Sequence, residues 1–335
     1  MLAPLRHRPA DAIALASPAA PAISAGTAAS PFARDLQACL AERPHAIAPK
    51  YFYDAAGSRL FDRICDLPEY YLTRTEFSIL GRDIGAMAAL IGPGAEIVEF
   101  GAGSLIKARL LLDALESPRR FVAVDISGEH LVASLAALQP RYPALDLQPL
   151  VADFTHPETL PLGPGGGRRI GFFPGSTIGN FTPEEASRFL SAASRLLQGG
   201  GLLIGVDLIK DPARLHAAYN DRAGVTAAFN RNLLGRANRE LGTNFQVEAF
   251  QHYAFYQPER QRVEMHLINT RAQQIVLGGR SFYLAPGESI HTENSQKYSV
   301  EGFQDLAVAC GFRPRAVWCD GEGLFSLHWL EAVPN

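Results

Sequence analysis

Lysine is scarce in this 335-residue chain: of 31 basic side chains only Lys50, Lys107, Lys210 and Lys297 are lysines. Net charge is small as well, −3 from 31 Lys+Arg against 34 Asp+Glu. That removes the broad basic face with which a dedicated nucleic-acid binder neutralises phosphates. Cysteine is limited to Cys39, Cys65, Cys310 and Cys319. None sits in a C-x-x-C pair, so spacing offers neither a disulfide framework nor a structural zinc site. The nine histidines are dispersed, with no H-x-H or H-E-x-x-H, and no metal is expected. No apolar run approaches the roughly 20 residues of a membrane helix; the nearest, 201–206, has the length of a strand. These absences predict a cytoplasmic protein with reduced cysteines and no membrane or nucleic-acid partner; a monomer is expected.

What is present is a large apolar fraction, 47% against 19% charged, enough for one large or two medium domains. Residues 1–30 are the exception. They are dominated by Ala and Pro and cannot bury enough surface to offset their ordering entropy, so a disordered tail is expected. Arg6 and Arg8 ahead of the apolar run 12–16 outline an export signal, but the run is short and Asp11 and prolines interrupt it.

From Pro31 the apolar spacing predicts helices over 32–40 and 57–64 and another opening at Thr75. Strands are then predicted at 96–100, 120–125, 147–151, 169–173 and 202–208, with helices at 107–115, 129–138 and 183–197 between them. This alternation predicts an α/β fold, an open, mostly parallel, Rossmann-like sheet with helices on both faces. After Asp211 the pattern changes to a helical stretch over 213–241, followed by strands at 245–256, 262–269, 274–277 and 281–284. These read as a smaller α+β unit inserted after the fifth strand. A helix at 300–310 and strands at 314–319 and 324–332 return the chain to the main sheet.

In such a sheet ligands bind at the carboxyl ends of the strands. Glu99-Phe-Gly101-Ala-Gly103-Ser104 stands at the end of the first. Its glycines admit a ligand close to backbone, yet the third dinucleotide-type glycine is replaced by Ile106. A G-x-G with an acid inside the strand suits S-adenosylmethionine, which has a carboxylate to bind and no pyrophosphate; NAD is the alternative. Asp125 ends the second strand, where an acid can accept both ribose hydroxyls. Asp153-Phe154 ends the third, beside the expected adenine. Singly, the glycines read as a tight turn and Asp125 as a helix cap; three elements at three successive strand ends favour the adenosyl cofactor. Lys107, one of four lysines, lies where its ammonium can reach the cofactor carboxylate.

Lined up along the chain, these residues resemble a known family, the S-adenosylmethionine-dependent histidine Nα-methyltransferases of ergothioneine biosynthesis. The matching stretches span about residues 45–333. They include Pro49–Asp54, Leu67–Tyr71 with Thr73-Arg74, Glu99–Lys107, Gly175–Asn180, Asp207–Asp211, Gly224–Arg231, Val263–His266 and Thr292–Ser295. The resemblance implies trimethylation of L-histidine to hercynine, on a class I methyltransferase sheet with an inserted α+β substrate unit. By the same likeness, Gly101, Gly103, Ser104, Lys107, Asp125, Asp153 and Phe154 would hold the cofactor. Asn180 and Tyr219 match groups that hold the amino and carboxylate ends of the substrate. Tyr70 matches a tyrosine beside the substrate and Tyr53 another in the same cavity, and Asn180, Tyr70 and Tyr219 are the expected catalytic set. Glu293 and Ser295 match the pair that recognises imidazole, with Met265 packed beside the ring. Leu105-Ile106, Asn294 and Gln296 depart from common members. The implied division assigns 31–74 and 209–297 to substrate and 75–208 and 298–335 to cofactor. Related enzymes use tryptophan derivatives, so another amino acid or small amine is the alternative substrate. A non-catalytic adenosyl-binding module is a further rival, as is a nucleic-acid methyltransferase; the latter would carry N-P-P-[FYW] where this chain has Pro174-Gly-Ser-Thr-Ile-Gly-Asn180.

Overall fold

The computed structural model describes residues 30–163 and 167–333. The expected tail and the export-signal outline fall on 1–29, outside the described residues. Ser30, assigned to that tail, belongs to the fold: its hydroxyl accepts from Ala33 N and caps the first helix.

In chain order, α1 (Pro31–Ala41), β1 (His45–Ala46), α2 (Ala55–Cys65) and α3 (Tyr71–Ile91) precede the main sheet. Next come β2 (Glu96–Phe100), α4 (Ile106–Ala114), β3 (Arg120–Asp125), α5 (Gly128–Leu138), β4 (Asp146–Val151), β5 (Arg169–Phe173), α6 (Pro183–Leu196) and β6 (Gly201–Asp207). The inserted stretch contributes α7 (Pro212–Tyr219), α8 (Val225–Leu241), β7 (Phe250–Gln257), β8 (Arg262–Asn269), β9 (Gln273–Leu277), β10 (Arg280–Leu284) and β11 (Ser289–Gln296). The chain closes with α9 (Val300–Ala309), β12 (Phe312–Cys319) and β13 (Phe325–Ala332).

The main sheet has seven strands in the order β12-β13-β6-β5-β2-β3-β4. β4, β3, β2, β5 and β6 run parallel, and β13 is antiparallel to both β6 and β12. This is the Rossmann-like sheet expected from the strand–helix alternation. Strands β2 and β6 are buried along their whole length, as strands covered on both faces must be. Separate apolar clusters fill the two faces, one around Ile97, Phe121 and Phe172, the other around Val98, Phe100 and Phe173. The order reverses between β2 and β5, which makes the carboxyl ends of these neighbours the switch point where a crevice opens.

A four-stranded sheet, β1-β11-β8-β7, and the β9–β10 hairpin form the second layer. With α1, α2, α7 and α8 they enclose a third apolar cluster, running from Phe32 to Leu72 and from Leu215 to Ile290.

Four expectations need correction. Helix α3 starts at Tyr71, not Thr75, and Thr75 Oγ1 bonds back to Tyr71 O at 2.8 Å. Docking of the buried Tyr71 and Leu72 starts this helix; no side chain caps it. The helical stretch 213–241 is two helices. Gly224 takes φ +70° and the Asp221 carboxylate accepts from Val225 N and Thr226 N, so a new helix starts there. The strand expected from Phe245 starts at Phe250, after a 3₁₀ turn over Val247–Ala249. Strand β11 had no counterpart in the sequence reading, because Ser-Ile-His-Thr-Glu-Asn-Ser-Gln shows no apolar alternation. Among the described residues no helix is long and apolar enough to cross a membrane.

Candidate active site

A cleft of about 1130 Å³ lies over the carboxyl ends of β2, β3, β4 and β5. Gly101, Gly103, Ser104, Lys107, Asp125, Asp153 and Phe154 all line it. Gly101 sits at φ +75°, and a Cβ there would meet the Phe154 ring at 3.2 Å; at Gly103 a Cβ would meet nothing within 4 Å. The first glycine serves the turn, and the second leaves room over the loop for a ligand.

Glu99 is buried on β2 at the cleft, and its Oε2 has no hydrogen-bond partner. Burial pushes its carboxyl up to about 8, with Lys107 pulling the other way. An orphaned buried carboxylate facing a cleft is a receptor for a cation. The Asp125 carboxyl is also raised by burial, against the hydrogen bond from Ser127 N to its Oδ1.

All four lysines stand at or behind the site. Lys107 Nζ lies 2.5 Å from the fully buried Glu76, which also accepts from Gly175 N at 2.9 and 3.0 Å. Glu76 thereby ties the loop after β5 to the first turn of α4. Lys50 Nζ lies 3.1 Å from Asp153 Oδ2, while Asp153 Oδ1 accepts from Thr155 N and Oγ1. Both oxygens of Asp153 are therefore occupied within the chain.

A smaller chamber of about 60 Å³ adjoins the cleft. Tyr53, Tyr70 and Asn180 line both spaces; Tyr219, Met265, Glu293 and Ser295 line the chamber alone. Tyr70 precedes α3, Tyr219 ends α7, Asn180 ends a 3₁₀ turn after β5, and Met265 projects from β8. The register of β11 against β8 shifts between His291 and Glu293. One extra residue rephases the strand, so Glu293 and Ser295 come opposite Met265 and Val263 and share their inner face. Without the bulge both would point away from the chamber.

The aromatic walls interlock edge to face: Tyr53 with Phe61 at 5.6 Å and Phe229 at 5.7 Å, Tyr70 with Tyr219 at 6.4 Å. Among the described residues the Tyr53 and Tyr70 hydroxyls, the Asn180 amide and the Glu293 carboxylate have no partner. Burial holds the Tyr53 and Tyr70 hydroxyls well above their ordinary range, so both remain protonated. Burial pushes the Glu293 carboxyl up to about 7, opposed by Lys297.

A family model described as "Histidine-specific methyltransferase, SAM-dependent" matches residues 32–332. The chain belongs to the SAM-dependent histidine-specific methyltransferases. It is 42% identical over 311 residues to a histidine N-alpha-methyltransferase of Mycolicibacterium smegmatis, covering 91% of this chain and 96% of that one. A protein of the same name from Mycobacterium tuberculosis is 41% identical over 300 residues, covering 88% and 92%. "Ergothioneine biosynthesis protein 1" of Neurospora crassa is 32% identical over 313 residues, 86% of this chain but 33% of that longer protein.

In this histidine-specific methyltransferase, sequence reasoning gave no role to Glu76, Asp207, Lys210 and Lys297. The scarcity of lysine and the matching stretch Asp207–Asp211 were the signals available. Asp207 and Lys297 are fully buried and 2.7 Å apart; Lys210 Nζ lies 2.5 Å from Asp207, and Tyr71 OH bonds both Asp207 oxygens. Elsewhere, Glu264, His266 and His291 cluster closely enough to hold a metal ion, on the sheet face away from the chamber. The two imidazoles stack at 4.7 Å and 12°, so their in-plane lone pairs lie in near-parallel planes and do not converge. Glu264 is bound to Arg262 at 2.6 Å.

Proposed function

We propose that this enzyme trimethylates the α-nitrogen of L-histidine, giving hercynine, with S-adenosylmethionine as donor and no metal. The carrying observation is the juxtaposition of two unlike spaces. A cleft with an orphaned carboxylate suits a cation-bearing nucleoside, and it opens onto an aromatic chamber with four unpartnered polar groups. Residues 75–208 and 298–335 would form the cofactor unit, and 31–74 with 209–297 the substrate unit.

Bound in the cleft, S-adenosylmethionine supplies a methyl group on a positively charged sulfur. The chain's part is to bring a neutral amine into line with it, and positioning of this kind contributes up to ~7–11 kcal/mol. Asn180 offers an amide oxygen to the amine and an NH₂ to the carboxylate. Tyr70 hydrogen-bonds without adding charge. A free α-amino group has an ordinary pKa near ~8, and a neighbouring sulfonium favours its neutral form. Starting from the neutral amine, the first two transfers give methyl- and dimethylammonium, each of which releases one proton to water, and the third gives a trimethylammonium with no N–H left. As hydrogen-bond donors disappear, the faces of Tyr53, Tyr70 and Phe229 continue to hold the growing cation through their π-electrons.

Glu293 accepts a ring N–H, which favours histidine over apolar amino acids. Incubation with S-adenosylmethionine and histidine, followed by mass spectrometry, should show successive gains of one, two and three methyl groups on the α-nitrogen. Methylation of a ring nitrogen, or equal use of tryptophan, would overturn this reading.

A further inference from the structure

Behind the chamber wall, Lys297 is fully buried, and its three N–H donors have three acceptors. They are Ser295 Oγ at 2.6 Å, Asp207 Oδ2 at 2.7 Å and Tyr219 OH at 3.2 Å. Burial pulls the pKa of this lysine down, but Asp207 and Tyr219 outweigh it and the ammonium is held above its ordinary range. The hydroxyls of Tyr219 and Ser295 are themselves 2.6 Å apart, which places one hydrogen between them.

Two hydroxyls carry two hydrogens. Lys297 occupies a lone pair on each oxygen, and one hydrogen joins the pair. Tyr219 OH donates to Ser295 Oγ, so both lone pairs of Ser295 are taken, one by Tyr219 and one by Lys297, and its own hydrogen is left over. The chamber that Ser295 lines is the open space for it. Ser295 is thus a donor only. Without the ammonium, its oxygen could turn a free lone pair to the chamber and accept instead.

Beside this donor stands Glu293, which when ionised can only accept. A donor next to an acceptor matches a ring with one N–H and one bare nitrogen. We propose that Lys297 is a positioning residue that sets substrate specificity, locking Ser295 as a hydrogen-bond donor so that the chamber selects a neutral imidazole in a single tautomer. This rests on the histidine reading above and deepens it. An imidazolium would set N–H against O–H, and an indole has no bare nitrogen to satisfy the buried donor.

The test uses the full chain saturated with S-adenosylhomocysteine, which prevents turnover. Calorimetry compares L-histidine with the two pyrrolylalanines, in each of which one ring nitrogen is replaced by C–H. The unaltered protein should prefer histidine over the better pyrrole by at least about 10-fold, the cost of an unsatisfied buried donor. In Lys297→Met that ratio should fall below about 3-fold, because Ser295 can then turn its hydrogen onto the Tyr219 oxygen that the ammonium has vacated. Lys297→Gln, which keeps two N–H donors, should retain most of it. A merely structural lysine would weaken all three ligands together, and an unchanged ratio in Lys297→Met overturns the inference. A second measurement needs no variant: ¹⁵N spectra of ring-labelled histidine bound to the unaltered protein. One protonated and one bare ring nitrogen supports the inference; two protonated nitrogens, or a mixture of tautomers, overturns it. Failure of the unaltered protein to bind histidine at all would overturn the substrate reading, and this inference with it.

Discussion

Replacing Glu293 by Gln should make the unliganded protein more stable, and by an amount that depends on pH. Burial raises the Glu293 carboxyl from an ordinary value of 4.5 to about 7 in the folded state. In the unfolded chain it ionises near its ordinary value. Between the two values the folded protein retains a proton that the unfolded chain has lost, so stability falls as pH rises through this window. Each unit of difference is worth ~1.4 kcal/mol, so the full cost above pH 7 is about 3 kcal/mol. Glutamine fills the same space without titrating. Its stability advantage over the parent should therefore be about 2–3 kcal/mol larger at pH 8 than at pH 5. Urea unfolding of both proteins at the two pH values, without ligands, measures the difference, with Cm and m compared together. The same substitution should weaken histidine use by about 10- to 1000-fold, since a charged buried hydrogen bond is lost. An advantage equal at pH 5 and pH 8, or none at pH 8, would show that Glu293 is not held in a desolvated chamber.

Two further perturbations probe the cleft. Gly103→Ala should melt like the parent, because its Cβ meets nothing in the chain. It should nevertheless lose about 5- to 150-fold in S-adenosylmethionine affinity, the usual cost of overpacking. Gly101→Ala should lower the melting temperature instead, since φ is +75° and the Phe154 ring is in the way; calorimetry and thermal melts separate the two, and the reverse pattern would misplace the cofactor. Glu99→Gln should reduce S-adenosylmethionine affinity about 10- to 100-fold by removing a charge-assisted contact. In the parent, affinity should rise as pH approaches 8, because Glu99 must ionise to face a cation; a variant that binds as tightly as the parent, at any pH, counts against Glu99 as the receptor.

The main sheet was legible because its strands obey a rule visible locally. Gly201–Asp207 is a short apolar run, and Glu96–Phe100 sets Ile97, Val98 and Phe100 among two acids; both are bounded by turns and covered on both faces. Strand β11 was not legible as a strand, for the opposite reason. Its inner face meets a polar chamber, so Glu293 and Ser295 occupy positions where a core strand would carry valine or isoleucine. These residues were reached only through resemblance to a family. The bulge before Glu293 is equally silent in the sequence, because it depends on pairing with β8. The break between α7 and α8 did have a local cause in Asp221 and Gly224, overlooked because the apolar spacing continues across it. Glu76 looked like one more helix acid; its burial follows from contacts with Gly175 and Lys107, 99 residues away for one of its hydrogen bonds.

Helix α3 gives the site its stiffness. Tyr70, just before its first residue, lines the chamber; within its first two turns the helix anchors Tyr71 on Asp207 and clamps Gly175 and Lys107 through Glu76. In the arrangement proposed above, one rod thus carries residues on both sides of the gap between methyl donor and amine. Three consecutive transfers across that gap leave the amine itself as the moving part. It must swivel about its own bond to Cα like a turnstile, showing a fresh lone pair to each new sulfonium while the room around it stays still.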